Sequence, residues 1–328
     1  MEGYDAGIEE GRLDPASSGS CVAKFVLSSA HPRIPRACLT LAAAVAAILA
    51  CQLPPLGSLA TPDIRTGGPP IPTPPPGSEG PWRLALTGSI QGNLDLFVIN
   101  ADGTGLTRLT DNPEEDSGPS WSPDGQKILF MSIRDEQYDV FVMNADGSAQ
   151  MNLTATRGDD AWPAWSPDGG RIAFESERDS PNLETYEINL EVYLMNSDGS
   201  GVARLTNNWG DDGFPLWLPG GEQIVYQGCR EVPRGMFSSR RMCGLYVMDD
   251  QGVFLYPIVE QEYSYSALFP ALSPDGRRIA YENTKGYDRE DIFDASDMFV
   301  VTTDGAGLVQ VVSTPLGDSE QTWSPDSQ

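Results

Sequence analysis

Two short motifs alternate along this chain in a fixed register, and that recurrence limits the fold more than any other feature. The first, Trp121-Ser122-Pro123-Asp124-Gly125, returns at Trp165 to Gly169, as Trp217-Leu218-Pro219-Gly220-Gly221, at Leu272 to Gly276 and as Trp323-Ser324-Pro325-Asp326-Ser327, with starts 44, 52, 55 and 51 residues apart. The second, Asn100-Ala101-Asp102-Gly103, interleaves with it at Asn144 to Gly147, Asn196 to Gly199, Asp249 to Gly252 and Thr302 to Gly305. Each Asp-Gly marks a tight turn that needs positive φ, and strand-like runs lie between the turns. Lys127-Ile128-Leu129-Phe130-Met131 and Val140-Phe141-Val142-Met143 are apolar on both faces, as strands covered on both sides are. A repeat is then strand A (Pro-x-Trp-Ser), a Pro-Asp-Gly turn, strand B, a variable loop, strand C, an Asp-Gly turn and strand D ending in Leu-Thr. Four antiparallel strands per repeat make one blade of an all-β propeller.

On these motifs the sequence resembles the bacterial TolB-like propellers, whose repeat reads P-x-W-S-P-D-G, then I-x-F, S-x-R-D and I-Y-V-M-N-x-D-G. The match covers residues 82 to 328. It implies a fold and leaves function open. The third copy, Trp-Leu-Pro-Gly-Gly, has lost its Asp, and the fourth strand D, Phe254-Leu255-Tyr256, lacks Leu-Thr. Stretches preceding the repeats do not match the helix-containing domain of the resembled family. The region opens with strand B at Trp82 to Leu86 and ends just after strand A at Gln321 to Ser324. Each end lacks what the other supplies, so five blades closed by pairing these strands are expected; the alternative is an incomplete six-bladed ring.

Arg33 and Arg36 precede a 13-residue apolar run, Cys38 to Ala50, which has signal-peptide length and is too short to span a bilayer. The run ends Ile48-Leu49-Ala50-Cys51, which resembles the lipobox of bacterial lipoproteins, so residues 1 to 50 are expected to be a leader and Cys51 the lipidated first residue. Residues 51 to 81 are rich in Pro, Gly, Ser and Thr, a composition that favours polyproline II and cannot bury a core. This reads as a stalk between a membrane anchor and the propeller, on the periplasmic or cell-surface side.

Composition removes several functions. The formal net charge is −26, with 21 Lys and Arg against 47 Asp and Glu, which excludes nucleic acid as a partner. The one histidine, His31, falls in the leader, so a Ser-His-Asp triad, a Cys-His pair and histidine-ligated zinc are excluded. No Gly-x-Ser-x-Gly elbow and no phosphate-cradling glycine loop is present.

Topology assigns the candidate sites. The A–B and C–D turns share one face, so the B–C loops and D–A connectors share the other, and length varies in the B–C loops near 177 to 190, 228 to 243 and 283 to 296. Variable loops on a rigid scaffold are where binding concentrates. Connector acids are expected to rim the channel on that face: Asp116, Asp159 and Asp160, Asp211 and Asp212, Asp318 with Glu320, with Tyr263 and Tyr265 in the remaining blade. Trp162 and Trp209 are the connector aromatics suited to a ligand. No cofactor is expected; oxygen-only ligands suit Ca²⁺, yet no EF-hand-like loop exists. An Asp in such a connector also caps backbone N–H groups. Arg134-Asp135, Arg178-Asp179 and the weakened Arg230-Glu231 read as ion pairs or hairpin-start contacts.

Cys229 and Cys243 flank one B–C loop at the end of strand B and the start of strand C, so a disulfide between them is expected in an exported protein. The loop carries Arg230, Arg234, Arg240 and Arg241 with Met236 and Phe237, a basic cluster on an acidic protein. It reads either as charges offsetting nearby acids or as a preorganised site for an anionic partner. The expected function is a monomeric, non-catalytic module that binds a protein or surface ligand through its loop face. The alternative is a carboxylate-dependent hydrolase of surface glycans, which needs two acids and no histidine.

Overall fold

The computed structural model describes residues 83–90, 92–134, 136–180, 189–208, 210–234, 239–262, 265–285, 297–312 and 323. The chain divides into two units, Met1–Leu59 and Ala60–Gln328, and every described residue belongs to the second. The leader, Cys51 and the proline-rich stretch lie outside the described residues.

The second unit is a five-bladed β-propeller, and among the described residues there is no helix. Blade I holds β1 (Arg83–Ile90), β2 (Asn93–Asn100) and β3 (Thr107–Arg108). Blade II holds β4 (Asp116–Trp121), β5 (Lys127–Ser132), β6 (Asp139–Asn144) and β7 (Met151–Asn152). Blade III holds β8 (Asp160–Trp165), β9 (Arg171–Ser176), β10 (Glu191–Asn196) and β11 (Ala203–Arg204). Blade IV holds β12 (Gly213–Trp217), β13 (Gln223–Pro233), β14 (Ser239–Asp249) and β15 (Phe254–Glu262). Blade V holds β16 (Tyr265–Leu272), β17 (Arg278–Lys285), β18 (Asp297–Thr302) and β19 (Val309–Val312). Within each blade the strands pair antiparallel in chain order, A to D in blades II to V and B to D among the described residues of blade I.

Both motifs earn their recurrence through side-chain hydrogen bonds. In the Pro-Asp-Gly turn, Ser122 Oγ donates to Asp124 Oδ1 at 2.6 Å and accepts Lys127 N–H at 2.9 Å, and Ser166/Asp168 and Ser273/Asp275 repeat this. In Leu-Thr, strand D is only two residues long, so the strand C amide above it needs another acceptor. Thr110 Oγ1 accepts Leu96 N–H at 2.9 Å, Thr154 accepts Val140 N–H at 2.8 Å and Thr206 accepts Val192 N–H at 2.9 Å. Blade IV has no such threonine because its nine-residue β15 pairs with β14 through backbone bonds.

Blades join through strand A tryptophans. Trp165 Nε1 donates to Ser120 O at 3.3 Å and Trp217 Nε1 to Ala164 O at 3.2 Å, each reaching the preceding blade. Trp323 Nε1 donates to Ala271 O of β16 at 2.9 Å, and Arg278 lies over its ring at 5.0 Å as Arg171 lies over Trp217 at 4.8 Å. Trp323 therefore packs on blade V as the strand A tryptophan of a following blade. That is the place blade I leaves open; the remainder of the expected closing strand, and Trp82, lie outside the described residues.

Thr154 is 2% exposed, so Thr154→Val leaves the buried Val140 amide without an acceptor. A loss of about 1–3 kcal/mol is expected, read as a lower urea midpoint at unchanged m-value.

Candidate functional site

Every strand A with a Pro-x-Trp or Pro-x-Leu end carries a two-residue bulge, between Ser117 and Ser120, Ala161 and Ala164, Gly213 and Leu216, and Leu268 and Ala271. The first bulged residue has positive φ: Gly118 at 63°, Trp162 at 49°, Phe214 at 50° and Phe269 at 50°. For three bulky residues that conformation is strained. It throws the aromatic rings inward, where Trp162 meets Phe214 at 5.2 Å and Phe269 at 5.5 Å, and Phe214 meets Phe269 at 4.8 Å. Blades III and V are not neighbours, so these rings meet across the axis. Trp162 thus belongs to an aromatic cluster within the channel, on a strand and not in a connector. Trp209, Asp318, Glu320 and Tyr263 lie outside the described residues, as does the side chain of Tyr265.

Asp116, Asp160 and Asp212 lie inside the blades, each 0% exposed, and not on the channel rim. Asp116 and Asp160 open strand A and Asp212 immediately precedes it, and all three side chains are closed off from solvent. Asp160 accepts from Arg178 Nη2 at 2.9 Å and from Thr156 Oγ1 at 3.2 Å. Asp116 accepts from Asn112 and pairs with Arg134 Nη2 at 3.4 Å. Burial raises both above the ordinary aspartate range, and the arginines pull the other way. The capping role falls to the preceding residue: Asp159 Oδ1 accepts Tyr138 N–H at 2.9 Å and Asp211 Oδ1 accepts Leu190 N–H at 3.1 Å, each tying a connector to the previous blade.

Two acids missed at the sequence level are Glu175 and Glu177. Glu175 is 5% exposed and its Oε2 accepts Phe214 N–H at 2.9 Å, fixing the bulge of the next blade. In blade II the corresponding partner is Met131, whose sulfur accepts Trp162 N–H at 3.3 Å. Burial pushes Glu175 up to about 8, with Asp211, Glu177 and Asp159 adding repulsion, and burial with Asp159 pushes Glu177 to about 7. The available signal was a carboxylate at the end of the apolar run Ile172-Ala173-Phe174. Among the described residues no group of three His, Cys, Asp or Glu is placed to hold a metal ion.

The third feature is blade IV. β13 and β14 pair over eleven residues, Gln223↔Asp249 to Pro233↔Ser239, whereas β5 and β6 pair over six. The expected loop is a β-ribbon. Cys229 and Cys243 face each other across it, joined by a disulfide with Cα atoms 4.1 Å apart. Arg230 is half-buried and committed to Glu260, its Nε donating to Oε1 at 2.5 Å. Arg234, Arg240 and Arg241 are exposed near the ribbon's end; Met236 and Phe237 lie outside the described residues.

No family model matches the chain. A TolB homologue from Chlorobium luteolum is 37% identical over 59 residues, 18% of this chain and 14% of that protein. Dipeptidyl-peptidase 5 from Porphyromonas gingivalis is 42% identical over 38 residues, 12% of this chain and 6% of that protein. The chain thus matches only a small part of either relative's length. TolB from Acinetobacter baumannii superposes with a TM-score of 0.52 at 20% identity, covering 72% of this chain and 52% of that one. The chain is a β-propeller similar in fold to TolB. An oligogalacturonate lyase from Vibrio parahaemolyticus shares the fold at 13% identity and a TM-score of 0.51, over 75% of this chain and 65% of that one.

This propeller holds Glu175 and Glu177 above the ordinary glutamate range, and the sign of the effect of Glu175 on stability follows. Glu175 has a folded value of about 8 against an ordinary 4.5, so between those values the folded state binds more protons than the unfolded chain and stability falls as pH rises. Glu175→Gln removes that fall. The variant is expected to gain stability over wild type at pH 8.5 relative to pH 5, measured by urea unfolding at both values; equal differences at the two pH values would contradict the burial of a neutral Glu175.

Proposed function

We propose that the protein is an exported, membrane-tethered binding module that engages an anionic macromolecular partner, a protein in the first instance, through the blade IV ribbon. The observation that carries this reading is that β13 and β14 of blade IV run on as a paired, disulfide-closed ribbon of eleven residue pairs, where β5 and β6 of blade II pair over six. It is longer, it is stapled, and its end exposes Arg234, Arg240 and Arg241. The protein around it carries a formal charge of −26. A basic patch against such a background repels cationic partners generally and admits anionic ones locally. Stapling cuts the ordering cost of binding. On this reading Cys51 is the lipidated tether and residues 51 to 81 are the stalk. The likeness to TolB structures supports a protein-binding propeller and leaves the partner open.

The test is affinity capture from detergent-solubilised envelopes of the native host. Wild-type protein is expected to enrich a partner that R234E/R240E/R241E loses by at least tenfold, with far-UV and near-UV circular dichroism unchanged. Equal capture by the folded variant removes the ribbon from the interface.

A second reading is supported by Glu175 and Glu177, two carboxyl groups held above the usual range in one acidic neighbourhood. Such a pair supplies a general acid and a base for glycosidic cleavage. A screen against surface glycans tests it, with activity expected to vanish in Glu177→Gln.

A further inference from the structure

Blades II, III and IV set an arginine at one register position. Asp116 pairs with Ser132 and Asp160 with Ser176, and the same register puts Asp212 opposite Gly228; the arginine follows two residues later as Arg134, Arg178 and Arg230. In all three blades the guanidinium rests over the strand C ring, Phe141 at 4.6 Å, Tyr193 at 5.0 Å and Tyr246 at 5.7 Å. From that shared seat it turns in two directions. In blades II and III it turns inward, over Phe130 or Phe174 of strand B, with Nε donating to Ser132 Oγ at 3.0 Å or Ser176 Oγ at 2.8 Å and Nη2 on the buried aspartate. In blade IV it turns outward, over Phe254 of β15 at 4.9 Å, onto Glu260.

Asp212 is left behind. It is 0% exposed, its Oδ2 accepts from Asn208, and its Oδ1 makes no hydrogen bond within standard geometry. The groups facing it are Glu191 of β10, Tyr226 of β13, Thr206, Asn208 and the Cys229 amide. Burial and the Glu191 charge push it up to about 8. The backbone supplies the reason for the divergence. β5 and β9 end at Ser132 and Ser176, just before their arginines, whereas β13 stays paired to β14 through Cys229 and on to Pro233. Gly228 replaces the serine that guides the guanidinium inward, and a Cβ there would stand 2.3 Å from Asp212 Oδ1.

We propose that the Cys229–Cys243 disulfide chooses between two partners for Arg230. With the bond formed, β13 runs straight and Arg230 sits on Glu260. With the bond reduced, β13 ends near Gly228 as its sister strands end, and Arg230 turns inward onto Asp212. The reductant is a dithiol: one thiolate attacks the half-buried Cys229 sulfur and expels Cys243 as thiolate, and the second thiolate then displaces Cys229. Two electrons and two protons pass to the cysteines, and the dithiol becomes a disulfide. The switch moves one positive charge from the ribbon's outer strand into the blade and leaves Glu260 without it. Weaker binding of an anionic partner by the reduced protein would follow, and that consequence alone rests on the proposed function.

The switch is tested without any partner, by carboxyl ¹³C NMR titration of Asp212 in the full chain, oxidised, reduced with dithiothreitol, and as Cys229→Ala/Cys243→Ala. Reduction and the double variant are both expected to lower the Asp212 midpoint by at least one pH unit, and Arg230→Met is expected to abolish that shift. Near-UV circular dichroism reports whether each form stays folded. An unchanged midpoint in a folded reduced form overturns the proposal, and so does an equal shift in Arg230→Met, which would mean that water and not Arg230 reaches Asp212. Unfolding of both reduced forms overturns it as well, since the switch requires a folded reduced state.

Discussion

No blade of this protein can bury its own apolar faces, and everything else follows from having to bury them against the next blade. Leu129, Val140 and Val142 of blade II share one cluster with Ile172, Phe174, Tyr193 and Met195 of blade III. Blades III and IV share another through Ala173, Val192, Trp217 and Tyr246, and blades IV and V a third through Val225, Leu245, Ile279 and Val301. A sheet packed on both faces leaves its outer edge and its inner edge as the only places for variation. The strand A tryptophan fixes the spacing between blades, because its indole N–H must find a carbonyl of the preceding blade. Trp121 Nε1 is buried without a partner among the described residues, in the place where a strand A before blade I would present one.

The architecture was legible because two motifs with independent physical causes kept one register. The Asp of the turn accepts backbone amides, and the Thr of Leu-Thr replaces a missing strand, so each recurs wherever its local problem recurs. The exceptions were legible too: blade IV drops Leu-Thr where β15 is long enough to pair without it. The site was read less well, for reasons of alternation and burial. In Asp159-Asp160 and Asp211-Asp212 one acid caps a connector and its neighbour enters the blade, a division that a single residue of register decides. The positive φ at Trp162 and Phe214 was hidden because both precede proline, which ordinarily signals extended backbone. Glu175 was hidden inside an apolar strand because its partner is a backbone amide of another blade, about 40 residues away in sequence.

The departures from the repeat gather in blade IV. Pro219-Gly220-Gly221 lacks the turn aspartate, Gly228 lacks the serine, Arg230 leaves the aspartate its sisters hold, and β13, β14 and β15 all run long. A stapled ribbon needs a third strand beside it, and β15 supplies one by extending to Glu262 opposite Met242. That extension brings Glu260 within reach of Arg230. Lengthening the ribbon and re-routing the arginine are therefore one structural change, not two.

The channel and the ribbon make different demands on the same frame. Three strained aromatic residues converge on the axis, and the bulges of Trp162 and Phe214 are fixed from neighbouring blades by Met131 and Glu175. A bulky residue at positive φ persists only where its surroundings over-determine it, which ties the inner edge of the ring to a single conformation. The outer end of blade IV has a different character: β13 and β14 pair on to Pro233↔Ser239, and the Cys229–Cys243 bond closes that ribbon covalently. In the proposed switch Arg230 would keep its seat on Tyr246 and change only the carboxylate it faces, which would leave the ring undisturbed. A change confined to one side chain and one strand end leaves the packing between blades in place, since the clusters that join blade IV to blades III and V include neither Arg230 nor Glu260.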